Sequence, residues 1–233
     1  MDDQHYNKSS IQQVVIAGGG TAGWMAAAAI GKSLGKNIKI TLVESDEIST
    51  VGVGEATIPS LLKFLQFIGV NEHDFLKFTH ATYKLGIEFT GWGTQDAEYM
   101  HAFGSVGKNT KLAGFQHYWV KGLSKGIQAP YGEYCVESVA AKANKFARQR
   151  HQPINYAYHL DATKFALFMR EIAEVNGVTR VQGKIKNVNV SHQKGDIKSL
   201  DLDCGQNITG DLFIDCTGFS ALLIEQALHT GFD

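Results

Sequence analysis

Proline, cysteine and net charge are all scarce in this sequence. Three prolines among 233 residues leave no Pro-rich linker to mark a domain boundary. The three cysteines, Cys135, Cys204 and Cys216, show no metal-type spacing. They point to a reduced, cytoplasmic setting with the thiols as small core residues. A formal charge of −1 and the lack of a basic cluster argue against nucleic acid and against an anionic membrane surface as partners. No apolar run approaches the roughly 20 residues of a spanning helix. The start, MDDQHYNKSSIQQ, is polar and lacks the charged-then-apolar pattern of a signal sequence. His73, His80, His101, His117, His151 and His159 show no ligand spacing such as H-x-x-x-H, so no metal site is expected. Repeats and low-complexity tracts are also missing.

What is present is a core-forming composition, 44% hydrophobic, and one highly ordered stretch, VVIAGGGTAGW at residues 14–24. Val14, Val15, Ile16 and Ala17 read as a buried strand that breaks into Gly18, Gly19 and Gly20, with a small-residue helix opening near Thr21. Gly18-x-Gly20-x-x-Gly23 is the dinucleotide fingerprint. The first glycine permits the tight turn, the second lets backbone approach a pyrophosphate, and the third lets helix and strand lie close. Free N–H groups and the positive helix end favour an anion there. A second strand, Ile38 to Val43, ends in Glu44, 21 residues past Gly23, where an acid is placed to bind a ribose hydroxyl of NAD or FAD. Together these features predict an adenine dinucleotide site.

Further on, VGVGEATIP (51–59) reads as a glycine loop entering a helix with Leu61, Leu62, Leu65 and Ile68 on one side, stopped by Gly69. Gly52 and Gly54 allow either an ordinary loop or one lying along a flat ligand. In ATYKLGIEFT (81–90), alternation puts Tyr83, Leu85, Ile87 and Phe89 on one strand face, and Lys84, Gly86, Glu88 and Thr90 on the other. Spacing favours a polar face in water; the sharper alternative aims Lys84 into a cavity, where desolvation lowers its pKa. Residues 91–150 are glycine-scattered and aromatic, with helices expected near 115–124 and 136–148. Asp161 is placed to cap a helix covering Phe165, Leu167, Phe168, Ile172 and Val175, ended by Gly177. A strand at Val178–Val181 follows, then two antiparallel strands through Ile185, Val188 and Val190 and from Ile197 to Leu202. Asp211 to Gly218 reads as an apolar strand returning beside the first.

The predicted fold class is therefore α/β: a Rossmann-type FAD-binding fold of the flavin monooxygenase kind. It carries an inserted β-meander and a helical or irregular substrate-side insertion. FAD-binding segments are expected at about 11–90 and 151–233, with the insertion at about 91–150.

The strings GGGTAGWMAA, VGVGEATIP, YKLGIEF, YMHAFG, YHLDATKFA and DLFIDCTGF occur in an order that resembles the flavin-dependent tryptophan halogenases. The resemblance runs from Ile11 onward. It implies FAD delivered as FADH2 by a separate flavin reductase, with dioxygen forming a flavin C4a-hydroperoxide that a halide attacks. The resulting hypohalous acid reaches a lysine matching Lys84 and halogenates tryptophan or another electron-rich indole or arene. By position, the resemblance assigns Gly18, Gly19, Gly20, Thr21, Ala22, Gly23 and Glu44 to the ADP part of FAD. It places Ala56 by the flavin, backbone near Val181 at the adenosine end, and Lys84 in catalysis. It also reverses the reading of Lys84 that spacing favours. The family's W-x-W-x-I-P motif and catalytic glutamate lie beyond the DCTG strand, whereas tryptophan here is found only at 24, 92 and 119. On this reading the chain is an N-terminal portion without the family's C-terminal half. The alternatives are a non-catalytic FAD-binding fragment, or a flavin monooxygenase or NAD-linked oxidoreductase sharing only the nucleotide fold.

Overall fold

A computed structural model describes residues 10–48, 55–148, 154–191 and 193–231. Gly52 and Gly54 of the second glycine loop, and His151, lie outside the described residues. The first apolar run forms strand β1 (Gln13–Ala17), the fingerprint opens helix α1 (Thr21–Leu34), and β2 (Lys39–Glu44) ends on the expected acid. A two-residue strand β3 (Glu55–Ala56) precedes α2 (Ser60–Phe67), and Gly69 beyond it takes φ +79°. Leu61, Leu65 and Ile68 are buried, as their helical spacing requires. Helix α3 (Glu72–Thr79) is not evident from the apolar pattern; its signal is Asn71, whose side chain accepts from the amides of His73 and Asp74.

Next come β4 (Thr82–Lys84), β5 (Gly86–Thr90), β6 (Glu98–Ala102), α4 (Phe115–Leu123), a 3-10 turn at Tyr131–Tyr134, and α5 (Val136–Lys142). Helix α5 stops short of the expected 148, because Asn144 turns left-handed at φ +53°. The regular pattern resumes with β7 (Ala157–Leu160), α6 (Ala162–Val175), β8 (Val178–Gln182), β9 (Ile185–Val190) and β10 (Ile197–Leu202). It ends with β11 (Asn207–Thr209), β12 (Leu212–Asp215) and a short π-helix, Leu222–Ala227.

The chain divides into two compact units: Met1–Gly54 with Phe67–His80 and Asp161–Asp233, and Glu55–Gln66 with Ala81–Leu160. In the first, four parallel strands run in the order β12-β1-β2-β8. Strand order reverses between β1 and β12, the switch point at which an open α/β sheet leaves a crevice at its C-terminal strand ends.

Helices α1 and α6 pack on each other, with Trp24, Ala27 and Ala28 of the one and Phe165, Ala166, Met169 and Ala173 of the other buried. Asp161 caps α6 through a bond from the Lys164 amide. The expected apolar face needs correction: Leu167 and Val175 are exposed at 47% and 87%. Ala27, Ala28, Ala166 and Ala173 allow a close approach, so the buried stripe combines these alanines with Trp24, Phe165 and Met169 and leaves Leu167 and Val175 outside it.

A second core joins Val15, Ala17 and Val43 to Leu200, Leu202 and Leu223, so the meander and the π-helix close on the parallel sheet. The meander has three strands, β11-β10-β9, one more than expected, since β11 is too short to show a period of its own.

The second unit holds an antiparallel sheet β3-β7-β4 and a separate pair β5-β6. The single strand expected over 81–90 is thus two strands in two sheets. Leu85 is buried between them, and a Cβ on Gly86 would stand 2.6 Å from the His101 carbonyl oxygen, so only glycine lets β6 come this close. Alternation survives within β5, where Ile87 and Phe89 are half-buried and Glu88 and Thr90 exposed. Of the thiols, Cys135 is buried and Cys216 half-buried, but Cys204 is exposed, contrary to its expected core place. It sits in the turn between β10 and β11, outside any layer.

Candidate functional site

The fingerprint turn shows why each glycine is needed. Gly18 follows β1 with φ +105°, and a Cβ there would strike the Cys216 carbonyl oxygen at the end of β12. A Cβ on Gly23 would strike the Gly18 carbonyl oxygen, so helix and turn are in backbone contact. One on Gly19 would meet the Glu44 carboxylate. Gly20 differs: among the described residues nothing stands within 4 Å of where its Cβ would be, leaving open space beside bare backbone. The Gly18 amide is used, donating to the Val43 carbonyl at 2.9 Å. The N-cap residue of α1, Gly20, has no side chain with which to cap it, and the first turn contains no acidic residue. A glycine-opened helix start at a switch point fits a phosphate group.

Glu44 ends β2 and is held from two sides. The buried Trp24 donates its indole Nε1–H to Oε2 at 3.2 Å, and Arg180 donates Nε–H to Oε1. Arg180 also binds Asp46 through Nη2. Burial works against the guanidinium's charge, yet the Glu44 and Asp46 carboxylates outweigh it and hold its pKa above the usual value. Arg180 escapes a sequence reading because it meets Glu44 only through the pairing of β8 with β2. Val181, the next residue, pairs with Val43 and packs against the core beneath.

The DCTG string also resolves into chemistry. Asp215 accepts from the Thr217 amide and hydroxyl and from the amides of Leu223 and Ile224, at 2.6 to 3.0 Å. Burial alone would raise its pKa, but these donors hold it below the usual carboxylate value. The carboxylate thereby satisfies the start of the π-helix and ties it to the end of β12.

In the second unit, the strands place Lys84 at the end of β4 opposite Ala157. Its side chain is buried, 6% exposed, and Nζ donates to the Thr57 carbonyl at 3.1 Å. Thr57 is itself clamped, because its amide and hydroxyl donate to the Tyr158 carbonyl and its hydroxyl accepts from the Tyr158 amide. Two stretches separate in sequence, EATIP and YKLG, therefore meet at one hydrogen bond. The Phe103 ring centre lies 5.5 Å from Nζ, so the HAFG stretch converges on the same group. Desolvation lowers the Lys84 pKa. His159, paired with Ala56 on one side and Thr82 on the other, is exposed, and partial desolvation of its ring first and then the Lys84 charge lower its pKa. Lys84 and His159 line an open cleft of about 450 Å³, with Met100, Asn144 and Phe146 among its walls. The cleft thus offers one amine with a depressed pKa, next to a histidine and aromatic surface. Ala56 and Lys84 share this unit, whereas Gly18 to Gly23, Glu44 and Val181 share the first.

Comparison with known proteins agrees with this geometry. The tryptophan halogenase family profile matches residues 13–233. The tryptophan 7-halogenase RebH of Lentzea aerocolonigenes is 36% identical over 95% of this chain and 45% of its own length. The tryptophan 6-halogenase ThaL of Streptomyces albogriseolus is 35% identical over the same shares, 95% and 45%. Among solved structures, a flavin-dependent halogenase from Xanthomonas campestris superposes with TM-score 0.91 at 52% identity, over 95% of this chain and 45% of that one. The halogenase BrvH from Brevundimonas sp. BAL3 gives 0.88 at 40% identity, over 96% and 46%. The chain spans a little under half the length of the relatives it matches. A fingerprint turn at a parallel-sheet switch point, a buried lysine held by the second glycine-loop segment and a match along nearly its whole length place this chain in the tryptophan halogenase family.

Proposed function

We propose that this chain provides the FAD-binding and lysine-bearing part of a flavin-dependent halogenase-type oxidoreductase acting on tryptophan or another electron-rich indole or arene. FAD, supplied reduced by a flavin reductase, furnishes the electrons that reduce dioxygen and so allow a halide to become hypohalous acid. The residues present fit the cofactor: Gly18, Gly19, Gly20, Thr21, Ala22 and Gly23 offer backbone and a helix start to the phosphates. Glu44 offers a carboxylate to the ribose, backbone at Val181 lies toward the adenosine end, and Ala56 belongs to the flavin side. Lys84 serves the chemistry of transfer. Its depressed pKa increases the neutral amine fraction, which can take up an electrophilic halogen, while the protonated form donates a hydrogen bond to hypohalous acid. The cleft beside it carries a second lysine, Lys145, but its Tyr83, Leu85, Met100 and Phe146 walls give an aromatic substrate apolar surface to pack on.

The observation that carries this reading is the burial of Lys84 with, among the described residues, one hydrogen-bond partner, the Thr57 carbonyl, in a chain of this family. Stability alone gives no reason to bury an ammonium group without a carboxylate. Equilibrium dialysis with FAD tests the cofactor, with stoichiometric binding expected. Incubation with FADH2, oxygen, bromide and tryptophan tests the reaction by mass spectrometry. Brominated product is expected from a full-length version, and Lys84→Ala in that version should abolish it while FAD binding stays intact. FAD binding without product in the unsubstituted full-length version assigns the chain instead to a non-catalytic flavin binder, and chlorination or bromination surviving in Lys84→Ala removes the lysine from the mechanism.

A further inference from the structure

We infer that Trp24 and Arg180 are positioning residues that hold the Glu44 carboxylate in a two-pronged pose for the cis-diol of a ribose. The inference rests on the nucleotide reading above and adds the two residues that make Glu44 selective. The carboxylate has two oxygens and about four acceptor positions. One position on Oε2 is taken by the Trp24 indole N–H at 3.2 Å, and one on Oε1 by the Arg180 Nε–H. One acceptor position is left on each oxygen, and two neighbouring hydroxyls need two acceptors side by side.

The two donors are themselves immobilised. Trp24 is 2% exposed and rooted in α1, with the Arg170 guanidinium 6.0 Å above its ring. Arg180 is fixed by Asp46 through Nη2 and reaches Gln182 at 3.4 Å through Nη1, so its planar fork cannot swing away from Glu44. Glu44 and Arg180 side chains are each 16% exposed, which keeps water from competing fully for the pair. The carboxylate lies over Gly19, within the fingerprint turn itself, so the diol acceptor and the phosphate cradle are parts of one surface. Arg180 is already committed to two carboxylates and is not available to a phosphate on the ribose. A free diol is accepted and a 2′-phosphate is refused.

The test is calorimetric titration of the 233-residue chain with FAD, ADP and 2′-deoxy-ADP. In the unsubstituted chain, loss of the 2′-hydroxyl should weaken ADP binding about tenfold, the usual worth of a hydrogen bond to a charged acceptor. In Trp24→Phe and in Arg180→Met, ADP itself should weaken about fivefold and the deoxy penalty should shrink to about twofold or less. Arg180→Lys should restore part of the discrimination. Arg180→Met leaves the buried indole in place, so it reports even if Trp24→Phe unfolds. A deoxy penalty unchanged in the folded variants overturns the positioning role while leaving nucleotide binding standing. Failure of the unsubstituted chain to bind either FAD or ADP overturns the nucleotide reading itself, and this inference with it.

Discussion

Glu44 and Lys84 are both ionisable groups largely withdrawn from water, and the protein treats them in opposite ways. Glu44 has a guanidinium on one oxygen and an indole N–H on the other. Lys84 has the Thr57 carbonyl and the face of Phe103, and among the described residues no carboxylate pairs with it. A charge balanced from both sides is a fixture: its position is determined. A cation left with one neutral acceptor is costly, and that cost is what makes its proton easy to lose. On the proposed function, the glycine turn of the first unit serves to hold a ligand and the lysine cleft of the second to react. The difference lies in the partners supplied, not in burial.

This contrast can be broken at several points. The largest effect should come from Gly18→Ala, which combines a left-handed φ with a backbone collision against Cys216. It should cost about 4 kcal/mol in urea denaturation, whereas Gly20→Ala, with φ −73° and open space around it, should stay within about 0.5 kcal/mol. Comparable losses at both positions would mean that Gly20 is structural rather than kept bare for a ligand. Glu44→Ala should come next, destabilising by about 2 kcal/mol because it leaves the buried indole N–H without its acceptor and Arg180 with Asp46 as its one carboxylate among the described residues. Lys84→Met should have the opposite sign, stabilising by about 1 kcal/mol in thermal melts as an unpaired buried charge is replaced by an apolar stem. A destabilised Lys84→Met would show that the Thr57 bond outweighs desolvation. The smallest effect is in pH. The folded pKa of Lys84 is lowered, so between that value and the ordinary lysine pKa near 10.4 the unfolded chain binds more protons. The penalty for the ammonium is complete below the folded pKa and is relieved as pH rises through this window. Stability should therefore gain slightly toward alkaline pH, and the gain should vanish in Lys84→Met when urea midpoints are compared.

Much of the first unit was legible because its signals are local. The run β1, glycine turn, α1, β2 and terminal acid is contiguous, and each step follows from backbone geometry available to a few adjacent residues. The caps at Asp161 and Asn71 are equally local, although at Asn71 the helix behind the cap lacks a clear apolar stripe. The alternating pattern at 81–90 misled for a physical reason. Period two describes one flat strand with one buried face, but here the chain leaves one sheet at Lys84 and enters another at Gly86. The lysine is consequently buried on a face that alternation assigns to water.

By itself the sequence determined where the tight turn, the helix start and the acidic strand end fall, since glycine conformational freedom and apolar runs act over neighbouring residues. It also carried the family's motifs in order. Only the tertiary structure decided which distant groups meet. Arg180 reaches Glu44 across 136 residues because β8 pairs with β2, and Lys84 reaches Thr57 across 27 because both flank β7. Hydrogen bonds of that kind depend on strand order and register, which no short window of sequence contains, and they separate the charge held by two donors from the one left on a carbonyl.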